Sequence, residues 1–191
     1  MHPCKVLLQA VATIMITVSC AHEPKSTSMP VSKTMGGTPQ SRNLSSQTFN
    51  EVNQYRGEKG AKPLQRHSGL DQLAQRHAQY LIDNRGTFTL HGRTVSHDGF
   101  VGRTLIAREH YGMNNISENV ASTTGGTSNA PRVFRNIWVS SHGHEHNMRS
   151  AWTHTGVGVA MADDGTVVAV QLFAVQGMKS HDAMMDKFRG F

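Results

Sequence analysis

The chain has 191 residues, 12 of them histidine, and 19 Lys and Arg against 13 Asp and Glu give a formal net charge of +6. Its 37% apolar content with 18 glycines suits one compact domain, and 17% charged residues exclude a disordered polyelectrolyte or a long exposed coiled coil. The basic residues stand singly rather than in runs, so the excess charge reads as a solvated surface and no nucleic-acid partner is expected.

Lys5 precedes an apolar run from Val6 to Val18, too short to span a bilayer and matching the core of a secretory signal. The run ends at Val18-Ser19-Cys20. This resembles the lipobox of bacterial lipoproteins, with Thr17 where Leu is more usual. The resemblance implies removal of residues 1–19, a lipid on Cys20, and attachment to a membrane of the cell envelope. Ala21 at the second mature position implies outer-membrane sorting in a cell that has one. Cys4 lies in the removed segment, which leaves Cys20 as the sole thiol and no intramolecular disulfide. The alternative is a plain signal or an uncleaved anchor with Cys20 incidental; cleavage of a plain signal would leave a secreted protein.

Residues 20–46 are rich in Ser, Thr, Pro, Gly and Lys, with Met29, Val31, Met35 and Leu44 the few apolar exceptions. Such a segment cannot bury enough surface to offset its ordering entropy, and it reads as a flexible tether. The folded unit is then 47–175, followed by a C-terminal tail over 176–191 in which Met184, Met185 and Phe188 suit a short docked helix. Ser46 caps a first helix carrying Phe49, Val52 and Tyr55 and ending near Gly57 or Gly60. Leu70, Leu73, Ala74, His77, Ala78, Leu81 and Ile82 form the clearest helical stripe, with Ser68 as cap and Gly86 as stop. On that stripe His77 reads as a hydrogen-bonded core residue.

Ser96 to Phe100 is a turn into a third helix closed by Gly112, and Ile116 to Ala121 suits a short strand or turn. After the Gly125-Gly126 loop, Pro131 sits in the first turn of a helix carrying Val133, Phe134, Ile137 and Trp138. Alternating Val-rich segments over 156–162 and 166–175, joined by Asp163-Asp164-Gly165, make a hairpin. Helices first and a hairpin last give an α+β layered domain.

His97, Glu118 and His144 stand beside glycine or turn residues, where a side chain can approach a ligand. The densest tract is Trp138 to Asn147, with His142, His144 and His146 at two-residue steps. If extended, the three share a face; if helical, His142 and His146 pair at i,i+4 while His144 points elsewhere. Gly143 is expected to separate two helices, with His144 opening the second. As a short histidine-rich tract, it also suits divalent metal binding at the surface.

Ser96-His97-Asp98-Gly99-Phe100 with Arg103, Ser117-Glu118-Asn119-Val120, Trp138-Val139-Ser140-Ser141-His142-Gly143-His144 with Asn147, and Gly156-Val157-Gly158-Val159 before Val170-Gln171-Leu172-Phe173 follow in order. With Asn53 and Arg56 they resemble the CAP superfamily of cysteine-rich secretory, antigen 5 and pathogenesis-related proteins, especially its bacterial branch. The resemblance implies an α-β-α sandwich with a central antiparallel sheet, and a cleft that in many members holds two His and two Glu. His97, Glu118 and His144 match three of these positions. Ser141 stands at the second glutamate, and His142 replaces a proline usual in bacterial members, so the tetrad is incomplete.

The resemblance makes His97 and His144 the metal candidates, with zinc as the ion and a weak, open site. Glu118 would either orient a histidine or act as base toward a metal-bound water. Glu145 projects about 100° away from His144 on a helix and cannot replace the missing carboxylate. No Gly-x-Ser-x-Gly elbow occurs, and Ser141 beside His144 lacks a third partner. The preferred expectation is therefore a non-enzymatic module binding a small apolar ligand, a metal or a surface protein. The alternative is a metal-dependent hydrolase built on His97, His144 and Glu118. A buried polar network that merely fixes the packing is the third reading of these residues.

Overall fold

The computed structural model describes residues 36–84 and 97–177. The signal segment, Cys20, Gly86, Ser96 and the tail beyond Gly177 lie outside the described residues.

Helix α1 spans Pro39–Glu58, eight residues ahead of the expected start at Gln47, so the last third of the expected tether belongs to the folded unit. Its cap is Thr38, whose hydroxyl accepts from the Ser41 amide at 3.1 Å, and Pro39 fits the first turn where an N–H has no partner anyway. Apolar periodicity misses this extension because its buried face is largely hydroxyl. Ser41, Leu44, Ser45 and Thr48 line it, with Ser45 Oγ donating to the Val157 carbonyl.

A two-residue strand, β1 (Gln65–Arg66), leads into α2 (Ser68–Asp83), which His67 rather than Ser68 caps through its ring nitrogen. Helix α3 (Phe100–Tyr111) ends at Gly112 in the left-handed region, φ 63°, as the sequence led one to expect. Strand β2 (Met113–Thr123) is far longer than the segment expected at 116–121, with a bulge between Asn114 and Ser117. Helix α4 (Ala130–Ser140) and α5 (His142–Arg149) follow, then the hairpin β3 (His154–Met161) and β4 (Val167–Gln176).

The sheet order is β1-β3-β4-β2, antiparallel except for the short β1–β3 pairing. One face packs on α1, α4 and α5 through Val52, Phe134, Trp138, Met148 and Phe173; the other packs on α2 and α3 through Leu70, Ala74, Ala107, Val170 and Leu172. This is the α-β-α sandwich that the sequence implied. Strand β4 is Val-rich on both faces because both are covered.

Helix α2 lies unusually close to β3. A Cβ at Gly156 would overlap the backbone of Leu70 and Asp71, and one at Gly158 the backbone of Ala74 and Gln75. Beyond β1, β3 has no further strand on that side among the described residues, and side chains take the place of one. Asp71 Oδ1 accepts from the Val157 amide at 2.8 Å, and Gln75 accepts from the Val159 amide at 3.1 Å while donating to its carbonyl at 3.0 Å.

Candidate functional site

Strand β2 presents alternate residues to opposite layers, so Glu118 and Asn119 serve different neighbours. Glu118 turns toward α3 and is buried, its side chain 1% exposed. Arg103, on the inward face of α3, grips it with two bonds, Nε to Oε2 at 2.7 Å and a terminal nitrogen to Oε1 at 2.8 Å. His97 Nδ1 lies 2.8 Å from Oε1 and must carry its proton there, since an ionised carboxylate only accepts. Burial alone would raise the Glu118 pKa, but the bonds from His97 and Arg103 and the Arg103 charge outweigh it, leaving the carboxyl below its ordinary value. Arg103 also donates to the Asp98 carbonyl at 2.8 Å and thereby ties down the turn that carries His97. The His97 side chain is 49% exposed, at the rim of the group.

On the other face, Asn119 donates to the His144 carbonyl at 3.0 Å and accepts from Asn147 at 2.9 Å. These bonds fix α5 on β2. His144 Nδ1 is buried with no hydrogen-bond partner among the described residues. Burial, and secondarily the proximity of His97, lower the His144 pKa and favour its neutral ring. Helix α5 starts at His142, not at His144, because the chain needs only Ser141, in extended conformation, to turn out of α4. Gly143 thus lies inside the helix instead of separating two. Ser141 accepts from the Glu145 amide through its carbonyl at 2.8 Å, and among the described residues no hydrogen bond links its hydroxyl to His97, Glu118 or His144. Glu145 faces away from the group, as its helical position required. It accepts from Tyr55 Oη at 2.7 Å, the main cause of its lowered pKa, and pairs with Arg149.

Asn53 and Arg56 are structural. Asn53 makes a two-way bond with the Leu64 backbone, and Arg56, only 1% exposed, donates to the carbonyls of Lys62, Met148 and Ser150. Those last two bonds tether the C-terminal end of α5. His77 is buried on α2, as its place on the stripe implied. It lines a groove of about 310 Å³ between α2 and α3, together with Leu73, Tyr80, Gly99, Arg103 and Ile106.

Residues 49–176 match the CAP family, described as the cysteine-rich secretory protein family. The chain belongs to the CAP family. Among solved structures, this CAP domain is similar to an outer surface protein of Borrelia burgdorferi, with 19% identity, a TM-score of 0.57, and coverage of 71% of this chain and 94% of that one. It is also similar to a cysteine-rich secretory protein of Staphylococcus aureus (19% identity, TM-score 0.53, 72% of this chain and 40% of that one). An extracellular protein of Bacillus anthracis containing an SCP domain aligns at 21% identity and TM-score 0.53, over 74% of this chain and 45% of that one. The last two are longer, and this chain spans less than half of each. These likenesses concern the fold. No curated protein matches the chain.

The CAP tetrad raises the question of zinc. Closed zinc sites use four protein ligands and catalytic ones three. Among the described residues no three His, Cys, Asp or Glu side chains are grouped to hold a metal. Glu118 has both oxygens engaged, and the fourth position is Ser141. His97 and His144 alone complete neither kind of zinc site.

The geometry thus joins His97 with Glu118, places His144 near His97, and leaves Ser141 outside the hydrogen-bonded group. What the sequence reading missed is the work of Arg103, Asn119 and Asn147. All three sat inside recognised motifs, but no spacing rule announces that an arginine fifteen residues before a glutamate will saturate it.

Proposed function

We propose that this CAP domain is a binding module of the cell envelope rather than a hydrolase. The observation that carries the reading is the saturation of Glu118. A general base needs a free lone pair and a pKa near the working pH, whereas Glu118 is locked by a permanently charged guanidinium and shifted the other way. The groove between α2 and α3 supports a small apolar ligand. Its volume of about 310 Å³ is at the lower end for ligand pockets, and its walls include Leu73, Tyr80 and Ile106.

Lipid attachment at Cys20 belongs to the same proposal and rests on Val18-Ser19-Cys20 after the apolar run. A diacylated cysteine would hold the domain stably at a membrane. That setting agrees with the surface and extracellular descriptions of the similar proteins from Borrelia burgdorferi and Bacillus anthracis. In Cys20→Ser the protein should leave the membrane fraction and lose labelling by a lipid precursor. Unchanged fractionation and labelling would refute the anchor.

Two assays on the full chain test the module. A fluorescent long-chain fatty acid should bind the wild type, and Ile106→Asp should weaken it at least tenfold while leaving the fold intact by circular dichroism. Peptide, ester and cell-wall substrates should show no turnover with or without added zinc. Turnover that falls about a hundredfold or more in Glu118→Gln would establish the hydrolase instead.

A further inference from the structure

Helix α5 settles which arrangement the histidine tract takes. His142 and His146 lie one turn apart on a helix, and both are exposed. Residues at i and i+4 on a helix share a face with Cβ atoms about 5–6 Å apart. That spacing lets two imidazoles converge on one ion, as the paired histidines of His-x-x-x-His metal motifs do. Neither ring has a hydrogen bond or ion pair with any described residue, so both have nitrogen lone pairs to offer when neutral.

We propose that His142 and His146 form an open two-imidazole chelate for a borderline divalent transition cation, with copper(II) bound most tightly. Imidazole suits such ions, and copper(II) heads the order of affinities for divalent first-row metals. The site is separate from the His97–Glu118–Arg103 group, and the remaining coordination positions go to water. Glu145 is held by Tyr55 and Arg149, and Arg149, three residues after His146, is drawn toward Glu145.

Occupancy would act on the helix itself. Helix α5 has eight residues, contains Gly143, and has no side-chain bond at its N-terminal cap. A metal bridging its first and second turns would supply the restraint those features withhold. The same helix carries His144 and Asn147, whose bonds to Asn119 form one side of the site described above. The metal would thus stiffen the α5 side of that group.

The test uses the full chain and copper(II)–nitrilotriacetate, a capped ion that rewards paired ligands over single histidines. Titration followed by electron paramagnetic resonance should show one equivalent bound, with nitrogen couplings from two imidazoles. His142→Ala and His146→Ala should each weaken binding at least tenfold, while His67→Ala leaves it unchanged. Binding should also raise the melting temperature of the wild type and of neither α5 variant. Single α5 variants within threefold of wild type, or loss of the signal in His67→Ala, would overturn the proposal. Both α5 positions are exposed, so loss of binding there is not confounded by loss of fold.

Discussion

Replacing Arg103 by Met tests whether the group around Glu118 is a coupled buried pair. The two side chains are 10% and 1% exposed, and two bonds of 2.7 and 2.8 Å join them. Removing one partner of such a pair strands the other charge, at a cost of about 3–5 kcal/mol. His97 cannot make up the loss, because its one bond reaches Oε1 and leaves Oε2 without a partner. Arg103→Met should therefore lower the urea unfolding free energy at pH 7 by about 3–5 kcal/mol.

The pH dependence of that deficit is the sharper test. In the wild type Glu118 has a depressed folded pKa, so its contribution is present above the unfolded value and fades as pH falls through the folded one. In Arg103→Met the guanidinium no longer opposes burial, and the folded pKa should rise toward or above the unfolded value. Stability is then regained as the carboxyl protonates. The gap between the two proteins should narrow from pH 7 toward about pH 4, near the ordinary glutamate value. The double variant Arg103→Met, Glu118→Leu should recover much of the deficit at every pH. A deficit under about 1 kcal/mol, or one independent of pH, would refute the assignment of a buried charge pair.

Other perturbations address the scaffold. Gly158→Ala drives a methyl group into the backbone of Ala74 and Gln75, which cannot yield as a side chain would, so the loss should reach or exceed the roughly 3 kcal/mol upper end of ordinary overpacking. A denaturation midpoint within error of wild type would contradict the close approach of α2. Gln75→Leu leaves the Val159 amide and carbonyl without their partners and should cost about 2–6 kcal/mol, at about 1–3 kcal/mol for each stranded group. His67, His144 and His154 have folded pKa values lowered first by burial, so the unfolded chain takes up protons more readily below about pH 6.5 and stability should fall with pH there. Urea midpoints measured at pH 7.5 and 5.5 check the sign, and an unchanged midpoint would remove these rings as a source of acid sensitivity.

The parts of the fold that could be read in the sequence are those where burial is apolar and periodic. The stripe of α2 and the hairpin of β3 and β4 follow such patterns, while the end of α3 was marked by the left-handed Gly112. The start of α1 did not, since Ser41 and Ser45 are buried through hydroxyl bonds and look like tether residues. Strand β2 was underestimated because its first half carries Asn114 and Asn115, the latter at φ 45° beside the bulge, residues that suggest a turn. At the site, residue types in register pointed to His97, Glu118 and His144 as candidates. The chemistry available to Glu118 was hidden, because it depends on Arg103 arriving from another element.

The side-chain seal along β3 bears on how the protein behaves among copies of itself at high density. An open strand edge is a template for pairing with a neighbouring chain. Here the Val157 and Val159 amides are already occupied by Asp71 and Gln75, and the helix bearing those residues rests against the strand. Strand-to-strand growth on that side requires α2 to lift first, so its rate should follow local opening of α2 rather than global unfolding. Amide exchange in α2 and the lag before fibril formation should then respond together to mild denaturant. Crowded copies of this domain would be guarded on that side by a packed helix.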